Sequence, residues 1–316
     1  MLSHTRSLAG CQHVCWDIAK SRHVTNAPVS VILPTYKRAD SLRGSLRKLL
    51  QCDPAPDQIV VHVDAGDEET PTMLAAEFPT VEVIRSDTQQ GPGGGRNKLM
   101  AASRNETVVS LDDDSWPLQA DFLGVADQMM SSATSIAAIA CHIIEKDDRP
   151  EESNNSHNVA ELKPTFSFVG CGAIIRRSAF LKTTGYIPLR YAYGMEEADV
   201  SIQLLDRGYE VVSCPNLSVF HDCPRETHHS SPSINAAQIT NTGLFAFLRY
   251  PYRFWPYGCL QVINRIAFSL KKRRFRGVIQ GLVSIPFHCL KYSQHRRAVT
   301  PSTMRLLLKM KRRSQG

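Results

Sequence analysis

The chain is predicted to be an α/β protein: a mainly parallel sheet flanked by helices, followed by a basic helical region. Three observations carry that expectation. Short β-branched runs alternate four times with amphipathic helical stretches between residues 29 and 130, the pattern of a parallel sheet covered on both faces. Polar and acidic residues follow directly after these runs, where open α/β sheets bind ligands. The charge also breaks sharply after Glu226. Residues 1–226 hold 21 Lys and Arg against 30 Asp and Glu, whereas residues 227–316 hold 16 Lys and Arg and no acid.

Taken in order, residues 1–27 show no period and form a lead-in. Val29–Leu33 is a buried strand closed by Pro34 and Thr35. Residues 39–51 place Leu42, Leu46, Leu49 and Leu50 at helical spacing. Ile59–Val63 is the second strand and ends at Asp64. Thr70–Phe78 is a helix, and Val81–Ile84 the third strand. The run Gly91-Pro92-Gly93-Gly94-Gly95 reads as a tight loop leading into a helix over Arg96–Ser103. It has neither the spacing of a dinucleotide fingerprint nor the Lys-Ser/Thr ending of a P-loop. Its backbone N–H groups can still face a phosphate.

Thr107–Ser110 is the fourth strand, and it runs into Leu111-Asp112-Asp113-Asp114-Ser115. Three carboxylates at a strand end raise one another's pKa, and burial sharpens the conflict. A divalent cation removes it, because hard metals take carboxylate oxygens. A helix to about Met130 follows, then an apolar run over Ile136–Ile144 and an exposed polar loop over 145–163. Phe166–Ile175 is expected as a strand and Glu196–Arg207 as a helix stopped by Gly208. Glu210–Ser213 and Leu217–Phe220 are expected as two short strands, with His221 after the second.

Length and a 42% hydrophobic content allow one large domain with an appendage, divided as a lead-in (1–27), a catalytic domain (28–226) and a basic, aromatic-rich helical region (227–316). Nine dispersed cysteines argue for reduced thiols and a cytosolic setting. His4, Cys11, His13 and Cys15 fit no standard zinc spacing. The first residues lack the continuous apolar core of a signal peptide. No apolar run of about 18 residues is present, so a spanning helix is not expected.

The order of these features resembles family 2 glycosyltransferases with the GT-A fold, over residues 28–225. Val29–Arg38 resembles their opening strand, and Asp112-Asp113-Asp114 their Asp-x-Asp-type motif. Gly95-Arg96-Asn97 is similar to a loop of theirs. Gly170–Arg177 looks like their acceptor-side strand, Tyr193–Val200 like the segment holding the catalytic base, and Pro215–His221 like the closing strand with its metal-ligand histidine. The resemblance implies an inverting, metal-dependent transfer from a nucleotide sugar. It assigns donor contacts to Pro34, Thr35, Tyr36, Arg38, Asp64, Arg96, Asn97, Asp112 and Asp113. It assigns Mn2+ or Mg2+ to Asp114 and His221, with Asp112 assisting, and the base to Glu197, with Glu196 next. The expected donor is a UDP, GDP or dTDP sugar, and the expected acceptor a glycan, or a lipid-linked one as the basic tail suggests, in surface polysaccharide synthesis.

The tail adds a partner. Phe245–Tyr257 is dense in aromatics, and Lys271–Arg276 is strongly basic. Met304, Leu307 and Leu308 share one helical face opposite Arg305, Lys309, Arg312 and Arg313. Such a helix suits an anionic membrane surface, which makes the expected location peripheral, at the inner face of the cytoplasmic membrane. No nucleic-acid motif is present. An aspartate-nucleophile phosphatase would need Thr or Val where Trp116 stands. A nucleotidyltransferase would need a glycine-rich basic signature where Pro34-Thr35-Tyr36 stands. A catalytically inactive, membrane-associated relative is the non-enzymatic alternative.

Overall fold

The computed structural model describes residues 26–148, 162–189, 194–223 and 231–313. The lead-in up to residue 25, with its Cys11 and Cys15, lies outside them, as do Tyr193 and most of the expected 145–163 loop. Among the described residues, one nine-stranded sheet organises the first two-thirds of the chain. Its first half comes from β1 (Asn26–Thr35), α1 (Ala39–Leu49), β2 (Ala55–Val63), α2 (Glu69–Glu77), β3 (Glu82–Arg85), α3 (Gly91–Ala102) and β4 (Thr107–Leu111). Then follow β5 (Ser115–Pro117), α4 (Phe122–Ser132), β6 (Ile136–Glu145), β7 (Lys163–Pro164), β8 (Gly172–Arg176), the single turn α5 (Arg177–Phe180), α6 (Glu196–Asp206) and β9 (Glu210–His221).

The strand order is β3-β2-β1-β4-β8-β6-β9-β5, with β7 on β9. Strands β3, β2, β1 and β4 are parallel to one another, and β6 pairs parallel with β9. Strand β8 runs antiparallel between β4 and β6, so those two point the same way. The expected mainly parallel sheet is therefore present, with β8 reversed inside it. That reversal brings the start of β8 to the rim where β4 ends, because Gly172 pairs with Leu111.

Strand β1 is apolar on both faces, as a covered parallel strand must be. Val29, Val31 and Leu33 join Leu42, Leu46 and Leu49 of α1 in one core cluster. Ile32 points the other way, to Val60, Leu99, Met100, Val200 and Leu204. Helix α6 stops as expected: Gly208 has φ +83° and its N–H reaches Leu205 O at 3.0 Å.

Three local expectations are corrected. The glycine run is the first turn of α3 rather than a loop before it. An added Cβ on Gly95 would lie 2.6 Å from His62 Nδ1, so glycine there lets the helix press against β2. Residues 166–171 are not strand, because the chain turns through Gly172 N–H to Val169 O (3.1 Å). Glu210–His221 is one strand: its register with β6 skips around Pro215, which has no N–H to give, and resumes at Ser218.

The C-terminal region forms α7 (Pro232–Arg249), α8 (Trp255–Lys271), α9 (Val278–Lys291) and α10 (Pro301–Arg313). Helix α7 lies beneath the next two. Gly258 of α8 meets Ala246, and Ser269 Oγ donates to Asn235 Oδ1 (2.7 Å), so α8 runs antiparallel to α7. Gly281 of α9 approaches Ala236 O, and Ile285 approaches Gly243, so α9 runs parallel to it. Helix α10 corrects an expectation. Its apolar side does not face outward, because Met304 and Leu307 are buried with Ile202 of α6 and Phe245 of α7. Asp206 fastens its start, accepting from Thr300 N–H, Thr300 Oγ1 and Thr303 Oγ1. No described helix is long and apolar enough to cross a membrane.

Candidate active site

The parallel register sets Thr35 beside Val63, and Ile32 beside Ser110. The segments after β1, β2 and β4 therefore leave the sheet on one rim. Strand β9 delivers His221 to the same place, because Ser115 pairs with His221.

The three aspartates take three different environments. Asp113 is buried; its Oδ2 accepts from Thr35 Oγ1 (2.8 Å), its Oδ1 meets Arg38 Nη1 (3.0 Å), and its carbonyl accepts from Ser45 Oγ (2.9 Å). Burial pushes its carboxyl up to about 7, against the pull of Arg38. Asp114 is also buried. Burial alone would raise it, but His221 and Arg38 beside it hold it at about 2. Arg38 Nη2 lies 2.6 Å from its Oδ2, and His221 Nε2 lies 3.3 Å from its Oδ1. That Oδ1 is out of solvent and has no hydrogen-bond partner. Asp112 is the most exposed of the three and pairs with Arg96. Ser115 ties the turn down: its Oγ accepts from Asp112 N–H (2.8 Å) and donates to Cys171 O (2.9 Å).

An orphaned carboxylate oxygen facing an imidazole nitrogen is costly without a further partner. Asp114, His221 and Cys223 bring ligand atoms within 4.8 Å of one another, and Asp112, Cys171 and His221 do the same. Without a cation, burial pushes the Cys223 thiol up to about 11 and Cys171 well above its usual value. The Asp114 and Asp112 oxygens with the His221 nitrogen form a hard carboxylate–imidazole donor set that fits a divalent cation.

The remaining expected donor contacts separate. Pro34 is the penultimate residue of β1, and Tyr36 is exposed just beyond the strand, accepting from Gln89 Nε2 (3.3 Å) with Lys37 over its ring. Arg38 turns toward Asp113 and Asp114. Asp64 caps α3: its Oδ1 accepts from Gln90 N–H (2.8 Å) and its Oδ2 from Gly91 N–H (2.9 Å). Those two amides are thus occupied, and Pro92 after them has no N–H to offer a phosphate. Asn97 faces inward, with Nδ2 donating to Tyr186 O (2.6 Å) and Oδ1 accepting from Tyr186 N–H (2.8 Å). Arg96 is buried, and its guanidinium bridges toward Asp112 and Ser110 Oγ (3.1 Å).

Glu196 and Glu197 open α6, where the helix dipole favours acids. Glu197 Oε1 accepts from Gly170 N–H (3.2 Å). An added Cβ on Gly170 would strike Arg96 Nη2 (2.8 Å) and Glu197 Oε1 (2.9 Å), so these two charges flank that glycine. Burial raises both carboxyls. Arg96 pulls Glu197 back, whereas Glu196, beside the charge of Glu197, rises to about 8. Glu196 Oε2 is buried without a partner. Met195 before them holds φ +78°, and Lys37 on the opposite loop holds φ +56°. Non-glycine residues in this left-handed region store strain, and such strain gathers at functional sites.

Four residues of this site were not singled out from sequence: Ser45, Asp67, Cys171 and Cys223. Asp67 accepts from Lys37 N–H (2.6 Å) and so fixes the loop after β1. Only its place in Asp64-Ala65-Gly66-Asp67 hinted at it. The others needed tertiary contacts.

A mainly parallel sheet whose exit rim gathers an aspartate run, a closing-strand histidine and helix-start glutamates is the architecture of GT-A glycosyltransferases. The structure of GalNAc-T7 with UDP, GalNAc and Mn2+ matches 71% of this chain and 48% of its own, at TM-score 0.55 and 15% identity. Mannosyltransferase PcManGT from Pyrobaculum calidifontis, in complex with GDP-Man and Mn2+, matches 94% and 85%, at TM-score 0.52 and 16% identity. The family model Glycosyl transferase family 2 matches residues 30–184, and that segment is a family 2 glycosyltransferase domain. Succinoglycan biosynthesis protein ExoO of Rhizobium meliloti (strain 1021) is 31% identical over 87 residues, covering 27% of this chain and 25% of that protein. Glycosyltransferase AglD of Haloferax volcanii is 33% identical over 94 residues, 27% of this chain and 15% of AglD. The chain thus matches a quarter or less of the length of these relatives.

Proposed function

We propose that the chain is a metal-dependent, inverting glycosyltransferase. It would move a sugar from a UDP, GDP or dTDP donor to a glycan or lipid-linked acceptor in surface polysaccharide synthesis, working peripherally at the inner face of the cytoplasmic membrane. One observation carries the enzymatic reading: the buried Asp114 Oδ1, which makes no hydrogen bond and faces His221 Nε2 at 3.3 Å, on the rim that also holds Glu197. Asp114 and His221 would hold Mn2+ or Mg2+, with Asp112 as the nearest further carboxylate. A divalent cation bound there supplies positive charge for the diphosphate leaving group.

The chain's own residues do the rest. Arg38 adds a fixed positive charge on the donor side. Asp113 holds Thr35 and the loop after β1 in place. The exposed Tyr36 ring offers a stacking surface for the nucleobase. Asp64, being spent on backbone amides, orders that side of the pocket. Asn97 anchors the Tyr186 segment. Glu197 takes the proton from the acceptor hydroxyl as its oxygen bonds to the anomeric carbon and the carbon–diphosphate bond breaks. Entry and departure on opposite faces invert the configuration. Arg96 keeps Asp112 and Glu197 in register.

The test is release of nucleoside diphosphate from a panel of UDP, GDP and dTDP sugars, with and without Mn2+ or Mg2+, alongside thermal shifts for each pair. A metal-dependent stabilisation and release with one base class is expected. Turnover of nucleoside triphosphates instead of nucleotide sugars would overturn the reading.

A further inference from the structure

A face of the molecule remote from the rim breaks the ordinary pattern of a soluble surface. Of the eighteen large apolar side chains that are exposed among the described residues, twelve fall between Tyr252 and Leu290: Tyr252 just before α8, and the rest on α8, on α9 and on the turn joining them. Scattered exposed leucines need no explanation, but a concentration of this kind marks an interaction surface. On α9 the spacing is helical: Ile279, Leu282, Val283, Phe287 and Leu290 share one side, with Ile279 at 79% and Leu290 at 75% exposure. The opposite side, through Gly281, seats on α7. On α8, Leu260, Ile263 and Phe268 are exposed, while Gly258, Val262 and Ser269 are buried. The two helices run antiparallel on the same support, and both apolar rows face away from it.

The surrounding charge has one sign. Lys271, Lys272, Arg273 and Arg276 at the connecting turn, with Lys291 at the far end of α9, are exposed, and no acidic residue occurs anywhere from 227 to 316. Asn235 fixes that turn, donating through Nδ2 to Arg274 O and Arg276 O (both 2.9 Å), so the basic cluster is held at the apolar edge. Trp255 and Tyr252 stack edge to face at the other end of α8, 4.9 Å between centroids. Amphipathic aromatics of this kind belong at a boundary between apolar and wet phases.

We infer that the α8–α9 hairpin is a membrane-docking face that lies in the headgroup region of an anionic bilayer. Apolar area enters the acyl boundary, and the basic turn meets anionic headgroups. Since neither helix can span a bilayer, the attachment is interfacial. This places the contact on α8 and α9 and not on α10, whose apolar side is already covered. The inference rests on and deepens the peripheral membrane location proposed above, but it stands on a different part of the chain from the transferase chemistry, and either can fail alone.

Flotation of the full chain with vesicles tests it, using phosphatidylcholine alone and mixed with phosphatidylglycerol, at low and high salt. Binding should be at least about tenfold stronger to the anionic mixture and should weaken with salt. The double variant Ile279→Glu/Phe287→Glu should lose about tenfold or more, as should Ile263→Ser/Phe268→Ser, whose smaller polarity change guards the fold. Arg305→Gln/Lys309→Gln on α10 should bind as the parent does. Equal binding by the parent and both hairpin variants overturns the inference. So does a parent that sediments as a dimer and becomes a monomer on Phe287→Glu, which would make the face a contact between two copies. Oligonucleotide binding that outcompetes the vesicles would do the same.

Discussion

Glu197, half-buried, and Asp199, fully buried, stand two residues apart on α6, and they mark two regions built on opposite terms. Behind the helix, Asp199 and Arg249 form a closed network. Arg249 is fully buried, pairs with both Asp199 oxygens, and also donates to Thr184 Oγ1 (3.0 Å) and His295 O (3.0 Å). In front, at the rim, Asp114 Oδ1 and Glu196 Oε2 are buried without a hydrogen bond, although Asp114 is ion-paired with Arg38 and His221. A buried charge with all its hydrogen bonds made is consistent with structure alone. A buried charge with an oxygen left over costs stability, and that cost is offset only by something that binds there. The contrast separates the residues that hold α6 from those that wait for a ligand.

The largest expected effect tests the open side. Asp114→Asn should lower metal-dependent turnover of the accepted nucleotide sugar by roughly a thousandfold or more, the several kcal/mol that a metal site supplies. Because the parent carboxylate is ion-paired with Arg38 and His221, chemical denaturation should also show a loss of stability, smaller than that from opening the closed side. A variant that keeps its turnover, or one that unfolds, would remove the distinction. Arg249→Met tests the closed side. Breaking a buried pair from one end should cost about 3–5 kcal/mol, read from the denaturation midpoint, while Mn2+ dependence persists in the folded fraction. Glu197→Gln comes next. Loss of a general base should reduce kcat by about a hundredfold or more with donor affinity kept, and Glu196→Gln should do much less.

The sequence made the sheet legible because its strands are apolar on both faces and its helices keep a strict period, as Leu42, Leu46 and Leu49 do. The rim was legible for the same reason: residues after Leu33, Val63 and Ser110 had to leave on one side. The direction of β8 was not, since an apolar run carries no sign of its pairing partner. The glycines misled because Gly95 answers to His62, a residue from another strand. The burial of Arg96 beneath Asp112 comes from tertiary packing that the sequence does not display. The terminal helix showed an apolar stripe correctly, but a stripe does not say whether protein or lipid covers it. Asp199 offered a hint that went unused, a charge beside Val200 and Ile202 on the inner side of its helix.

The smallest effect concerns pH and sharpens the comparison most. A general base acts as its anion, so kcat/KM should fall, roughly tenfold per unit, as pH drops below the base's pKa. Burial raises Glu197, which moves this acid limb above the ordinary carboxylate range, and Arg96 opposes the rise. Arg96→Met removes that opposing charge. The limb should then shift to higher pH, whereas Arg96→Lys, which keeps a cation nearby, should shift it less. A limb near 8 in the parent would instead point to Glu196, which burial and its neighbour push to about that value. An acid limb that stays put in both Arg96 variants would mean that Arg96 belongs with Arg249, as part of the closed structure, and not with the rim.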